Sequence, residues 1–312
     1  MGATIGFVLV SHDNPAQLLR LVRRLMKLYG NPPIVCHHDF SLCSLDGFDF
    51  PNEVTFVRPH IESKWGGISI CLAFLAALRV LYQRADSPDW FAFMSGTDYP
   101  VRPARAALDQ LALGGFDAYM DHHLVEYPWT PDPCVEYEPH AFNSAAWVPL
   151  AYDRYVAIRL WLPWYSWTRK KPVKIPVGIV RSKSLVGQLN PFSETLKCYG
   201  GSTWFTGNRK AAERLLARNA ENRALFAHYS RRFIPDESLP HTILCNQPDL
   251  KISNDSLRYI DWSMGGHHPK NLGMEDIPRI LGSEAHFSRK FDLSKGAEVF
   301  DAIDAAVDAA SR

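Results

Sequence analysis

Neither a G-x-G-x-x-G fingerprint nor a G-x-x-x-x-G-K-[ST] loop occurs in these 312 residues, which disfavours a dinucleotide fold and a phosphate loop of the ATPase kind. Charge of one sign is lacking too. With 34 basic against 33 acidic residues the net charge is +1, so no global field attracts a polyanion, and nucleic acid is not an expected partner. The six cysteines, Cys36, Cys43, Cys71, Cys134, Cys198 and Cys245, include no C-x-x-C pair and no repeated spacing. They read as reduced packing thiols of a cytosolic protein rather than a disulfide frame or a zinc site. Long hydrophobic runs are missing as well: the longest, Ile68 to Tyr82, is interrupted by Arg79 and is too short to span a bilayer. The opening run Thr4 to Val10 has no basic segment before it and passes into Ser11-His12-Asp13, as a first strand does and a signal peptide does not. A cytoplasmic location is the expectation. No internal repeat or low-complexity linker divides the chain.

What is present is a pattern of alternating strands and helices. Thr4–Val10 is followed by Asn14-Pro15, an N-cap and first-turn proline for a helix whose apolar face is Leu18, Leu21, Val22 and Leu25. Gly30-Asn31-Pro32-Pro33 ends that helix, and Ile34–Asp39 reads as a second strand closing on an acid. A short strand at Val54–Val57, a helix at Ile68–Tyr82 and a strand at Trp90–Met94 complete four strands in about a hundred residues. The expected class is α/β, with a central, mostly parallel sheet flanked by helices. Residues 1–120 read as a nucleotide-sugar-binding lobe, 121–193 as an irregular, proline-rich excursion, and 194–312 as an acceptor and catalytic lobe ending in a helix at Ala297–Ala310.

Candidate chemistry gathers in a few short pieces, each with a plain structural alternative. Phe91 to Pro100 is an apolar run that breaks into Ser95, Gly96, Thr97 and Asp98; an acid at such a strand end is a ligand candidate, or a turn residue bonding its own backbone. Pro235-Asp236-Glu237 places two carboxylates at a helix start, a general-base position or a structural N-terminal acid. Trp204 and Trp262 either stack on a sugar ring or belong to the core. His267-His268 lacks an i,i+4 partner and is a poor metal motif. Arg289-Lys290 either neutralises a phosphate or is an ordinary exposed pair. The aromatic passage Trp161–Trp167 with Arg169, Lys170 and Lys171 either packs on the core or makes peripheral membrane contact.

In series, His12, the Cys36–Asp39 strand end, Trp65-Gly66-Gly67, Met94–Pro100, Gly201–Trp204, Pro235–Glu237, Arg258–Trp262 and Ser288–Asp292 carry a resemblance. The chain resembles, from about Ile5 to Asp292, the core-2/I-branching β-1,6-N-acetylglucosaminyltransferase family, glycosyltransferase family 14, which includes peptide O-xylosyltransferases. The resemblance implies a GT-A-type fold and a metal-independent inverting transferase that moves a sugar, N-acetylglucosamine or xylose favoured, from a UDP-sugar to a hydroxyl of a glycan or glycoconjugate, lipid-linked acceptors included. It implies Glu237 as general base and Lys290 at the leaving diphosphate. His12 and Asp39 fall in segments that line the nucleotide pocket, Asp98 becomes a pocket-floor residue, and Trp262, with Trp204, contacts the acceptor. No cofactor is expected.

Two departures accompany the resemblance. The branching enzymes of animals place an arginine upstream of the lysine; counting back from Lys290 reaches the His267–Lys270 loop, so Lys270 or a protonated His267 is expected in that role. The disulfides and membrane-anchored stem of the animal enzymes have no counterpart here, which points to a bacterial type. The competing expectation is a non-catalytic carbohydrate-binding or scaffold protein that keeps the fold. No Asp-x-Asp stands at a strand end to hold a metal, so fixed basic side chains are expected to meet the departing diphosphate.

Overall fold

The computed structural model describes residues 2–126, 147–166, 171–180, 189–264 and 268–312. Its frame is a seven-stranded sheet: β1 (Ile5–Ser11), β2 (Ile34–His38), β3 (Val54–Phe56), β4 (Trp90–Ser95), β5 (Ala118–Tyr119), β6 (Thr206–Asn208) and β7 (Ile252–Ser253), in spatial order β7-β5-β6-β4-β1-β2-β3. All neighbouring pairs run parallel except the two made by β6, which is antiparallel to β4 and β5. Two of the seven strands come from the second half of the chain, so one sheet unites the amino-terminal and carboxyl-terminal segments.

The β1 strand is buried along almost its whole length, as a central parallel strand covered on both faces should be. Alternation divides the core into two. Val8, Phe91 and Phe93 face helix α2 (Ser69–Gln83), where Phe74 stacks on Phe93 at 4.1 Å and Leu78 and Leu81 are fully buried. Phe7, Leu9, Ala92 and Met94 face helix α1 (Pro15–Tyr29) and the final helix, Glu298–Ala310. The Asn14 side chain accepts the Gln17 N–H at 3.2 Å, Pro15 occupies the first turn and Gly30 ends α1 at φ 68, as the sequence leads one to expect.

A small three-stranded sheet places the site. Phe287–Arg289 lies between Arg258–Ile260 and Tyr99–Pro100, with Ser288 opposite Tyr99. It brings the residues after β4 against those that begin at Arg289, nearly two hundred positions later.

Three expectations change. The excursion expected to be irregular contains an antiparallel hairpin, Ile158–Ser166 with Lys171–Val180, bulged at Leu160/Trp161. Prolines 163, 172 and 176 hid it; a two-stranded ribbon has only edges, and edges tolerate proline. The sequence leads one to expect a helix from about Arg209 to Asn219; it stops at Leu216, because Asn219 caps a new helix, Ala220–Tyr229, by accepting the Asn222 N–H at 2.7 Å. The helix expected from Pro235 is a single 3₁₀ turn, Pro235–Glu237, followed by a separate helix, Leu239–Cys245. Among the described residues no helix is long and apolar enough to cross a membrane, and the five described cysteines are free thiols. The Trp161–Lys171 passage proposed for membrane contact lies outside the described side chains.

Candidate active site

A cavity of about 540 Å³ opens beyond the carboxyl ends of β1 and β4, where ligands of open α/β sheets gather. His12 and Asp13 enter from β1, Ser95, Gly96 and Thr97 from β4, and Arg289 and Lys290 from the small sheet, while Lys64, Trp65, Trp204 and His268 complete the walls. Of the sequence candidates, His12, Lys290 and Trp204 therefore meet at one cavity.

Asp98 lies beneath it, fully buried. Its carboxylate accepts the Ser95 N–H at 3.0 Å, the Ser95 hydroxyl at 2.8 Å and Arg289 Nε at 3.0 Å. Arg289 is thereby held with its guanidinium carbon 4.5 Å above the Trp204 ring, and Trp204 in turn packs on Phe93 at 4.9 Å. An aspartate below, an indole beside and a rigid strand behind fix the direction of this cation. Next to it, Lys290 is half-buried and its ammonium has no ion pair among the described residues. Two adjacent cations, one preoriented and one in no ion pair among the described residues, suit an anion with several oxygens.

Asp39 stands behind the cavity. It is buried and accepts bonds from the Ser41 N–H (3.0 Å), the Ser41 hydroxyl (2.6 Å) and the Ser63 N–H. Burial alone would raise its pKa, but these donors outweigh it and hold the carboxyl down at about 2. Nearby, His37 Nε2 accepts the Ile61 N–H at 2.9 Å. Both contacts shape the loop that presents Lys64 and Trp65 to the cavity.

Lys270 is engaged elsewhere: its ammonium meets both Asp276 oxygens at 2.8 Å and Glu275 at 3.0 Å, and it does not line the cavity. His267 lies outside the described residues; its neighbour His268 is on the cavity wall. Trp262, half-buried, follows the Arg258–Ile260 strand rather than lining the cavity. Among the described residues no three His, Cys, Asp or Glu side chains gather as a metal site.

Glu237 does not line this cavity; it is carried on a turn tied to one of the cavity's walls. Ile234 donates its N–H to the Gly66 carbonyl at 2.8 Å, and Phe233 meets Trp65 edge to face at 5.1 Å, so the Pro235–Glu237 turn is docked on the Trp65-Gly66-Gly67 loop. Ile234 adopts φ 51, a left-handed conformation rare for a β-branched residue and retained only where its surroundings enforce it. Tyr155 contributes by donating its hydroxyl to the Ile234 carbonyl at 2.9 Å. The Glu237 side chain is 22% exposed, and Arg154 donates to its Oε2 at 3.0 Å. Burial raises the Glu237 pKa and the neighbouring Asp236 raises it further, while Arg154 and the Tyr155 hydroxyl oppose them; the result is about 7. Asp236 itself is buried against Thr203, which donates at 3.0 Å, and burial pushes its carboxyl up as well. A carboxylate poised near neutrality and fixed by an arginine is suited to taking a proton.

Arg154 was not legible in the sequence: it stands in a stretch with no motif, on a π-helical turn, Tyr152–Val156. Arg289 carries a signal in its place beside Lys290, whereas the resemblance points to the His267–Lys270 loop for the second cation.

Gly66 is required twice over. Its φ is 71, and a Cβ there would strike the Phe233 ring. Gly66→Ala is expected to cost about 2 kcal/mol from backbone strain and overpacking, read by urea unfolding, and to lower activity more than nucleotide binding because the displaced ring carries the Glu237 turn.

The model of the Core-2/I-branching enzyme family matches residues 165–285, a stretch that includes Glu237. The chain is 23% identical over 322 residues to beta-glucuronosyltransferase GlcAT14B of Arabidopsis thaliana, covering 96% of this chain and 65% of that protein. It is 28% identical to GlcAT14A of the same plant, covering 80% of this chain and 50% of that protein. It is 25% identical to mouse xylosyltransferase 1, covering 96% of this chain and 30% of that protein. The chain thus spans less than two thirds of the length of each of these relatives.

Proposed function

We propose that the chain, which is similar to the Core-2/I-branching enzyme family, works as an inverting glycosyltransferase, moving a sugar from a UDP-sugar to a hydroxyl of a glycan or glycoconjugate. The observation that carries this reading is Glu237, with its pKa of about 7, held by Arg154 on a turn docked to the rim of a cavity lined by Arg289 and Lys290. In the proposed step the acceptor oxygen attacks the anomeric carbon as its proton passes to the Glu237 carboxylate. The bond from that carbon to the diphosphate oxygen breaks, and its electron pair leaves with UDP. Arg289 and Lys290 meet the charge that develops there. Because two fixed cations are available, the transfer is proposed to need no divalent metal. His12 lies on the wall of the same cavity and Trp204 orients Arg289 from it.

The relatives named above are glucuronosyl- and xylosyltransferases, so glucuronic acid joins xylose and N-acetylglucosamine as a proposed donor sugar. The decisive experiment measures UDP release from UDP-xylose, UDP-glucuronic acid and UDP-N-acetylglucosamine in excess EDTA and, separately, with manganese in place of EDTA. Release in EDTA from at least one donor is expected. Release only with manganese would overturn the metal-free mechanism. Absence of UDP binding by calorimetry would replace the enzyme with a carbohydrate-binding protein. The cytoplasmic, peripheral placement remains part of the proposal and fails if the protein ignores anionic vesicles at low salt.

A further inference from the structure

Gln17, in the first turn of α1, lines the same cavity as Arg289 and Lys290 but is only 2% exposed. Its side-chain amide is fully engaged. Nε2 donates to the Gly96 carbonyl at 3.2 Å and to the Phe291 carbonyl at 3.0 Å. Oε1 accepts the Leu293 N–H at 2.7 Å and Asn14 Nδ2 at 3.1 Å. Two donors and two acceptor positions are all that a glutamine amide has, so this one has nothing left to offer a ligand. Its work is to join protein segments.

Those segments carry the charges of the site. Gly96 stands in the turn after β4 that holds Asp98, the carboxylate that aims Arg289. Phe291 and Leu293, 274 and 276 positions from Gln17, belong to the stretch just past Lys290. The Phe291 N–H also meets the Thr97 carbonyl at 2.9 Å, which seats that stretch directly on the turn. Arg289 thus has a carboxylate to fix its direction, whereas Lys290 has no ion pair among the described residues. The place of its ammonium depends on the backbone beneath it, and Phe291, the next residue, is where Gln17 takes hold.

We propose that Gln17 is a positioning residue for Lys290: its amide ties the Phe291–Leu293 stretch to the turn after β4 and to the start of α1, and so sets where the ammonium meets a diphosphate. The proposal rests on the reading of Arg289 and Lys290 as the cations of that diphosphate. An apolar side chain here would leave two buried carbonyls and an N–H without their partner. The loops would separate or admit water, and the flexible lysine stem would carry that shift to its charged end. Uridine, which has no phosphate, would not register it.

The test is a double-mutant cycle read by calorimetry on the whole chain, with UDP as probe and uridine measured by its displacement of UDP. Gln17→Met is expected to weaken UDP about tenfold and uridine less than about twofold, the loss of one well-placed charge-assisted hydrogen bond. In a Lys290→Ala background the same substitution is expected to cost less than about twofold, since the residue it places is gone. Val307→Ala, a core substitution on the final helix, controls for lost stability and should leave the preference for UDP over uridine unchanged. Gln17→Asn keeps the amide but is a methylene too short to span the loops; it repeats the comparison where Gln17→Met does not fold. Equal losses of UDP and uridine, a preference lowered as far by Val307→Ala, or a loss of full size that persists without Lys290 would each overturn the positioning role and leave the cation pair standing. A wild-type protein that binds UDP no tighter than uridine would reject the cation pair itself, and the positioning role with it.

Discussion

Glu237→Gln is expected to lower transfer by about a thousandfold, within the range ascribed to a positioned general base, while UDP affinity stays within about twofold because the substitution keeps the side chain's size and touches neither Arg289 nor Lys290. The pH profile supplies a second reading. Glu237 serves as a base only when ionised, and its pKa of about 7 means that kcat/KM should rise about tenfold per pH unit below 7 and level off above it. Arg154 favours the ionised form, so Arg154→Gln should move that rise to higher pH, where a purely structural loss would lower the plateau without moving the inflection. A Glu237→Gln enzyme with wild-type kcat, or a profile flat across pH 6 to 8, would remove Glu237 from the chemistry.

Lys290→Ala is the second large effect, expected at about a hundredfold in kcat, comparable to deletion of one preorganised oxyanion donor. UDP itself carries charge in the ground state, so affinity should weaken too, but less than kcat. Arg289→Ala should resemble it. Asp98→Asn, which leaves both cations in place and removes only the charge that aims Arg289, should retain UDP binding better than either while slowing turnover, the signature of a positioning residue. Single-turnover rates and UDP titrations on the three variants separate these outcomes. If Lys290→Ala binds UDP and turns over normally, the leaving group is met by some other side chain.

Where the sequence was legible, the reason is local. Asn14 before Pro15 specifies a helix start from hydrogen bonds three residues apart, and the apolar runs of β1 and β4, each ending in a serine, read as strands covered on both faces. The Glu237 candidate stood out because proline and two acids mark a helical start, although the turn proved shorter than expected and its neighbour Ile234 adopts a conformation that no local preference favours. The hairpin at Ile158–Val180 was obscured by prolines that would break an interior strand and are harmless in a ribbon.

By itself the sequence determined the alternation of strand and helix, the capped boundaries of α1, the balanced charge and the set of residues from which a site could be drawn. These depend on interactions between near neighbours, or on composition. Only the tertiary structure decided which candidates share a cavity. Asp98 and Arg289 meet across 191 positions because Phe287–Arg289 pairs with Tyr99–Pro100, whereas Lys270, closer in sequence to Lys290, is taken by Glu275 and Asp276. The pKa of Glu237 likewise comes from burial, Asp236 and an arginine 83 positions away. Charge and desolvation act through space, so the chain order that identifies a carboxylate cannot say how readily it will take a proton.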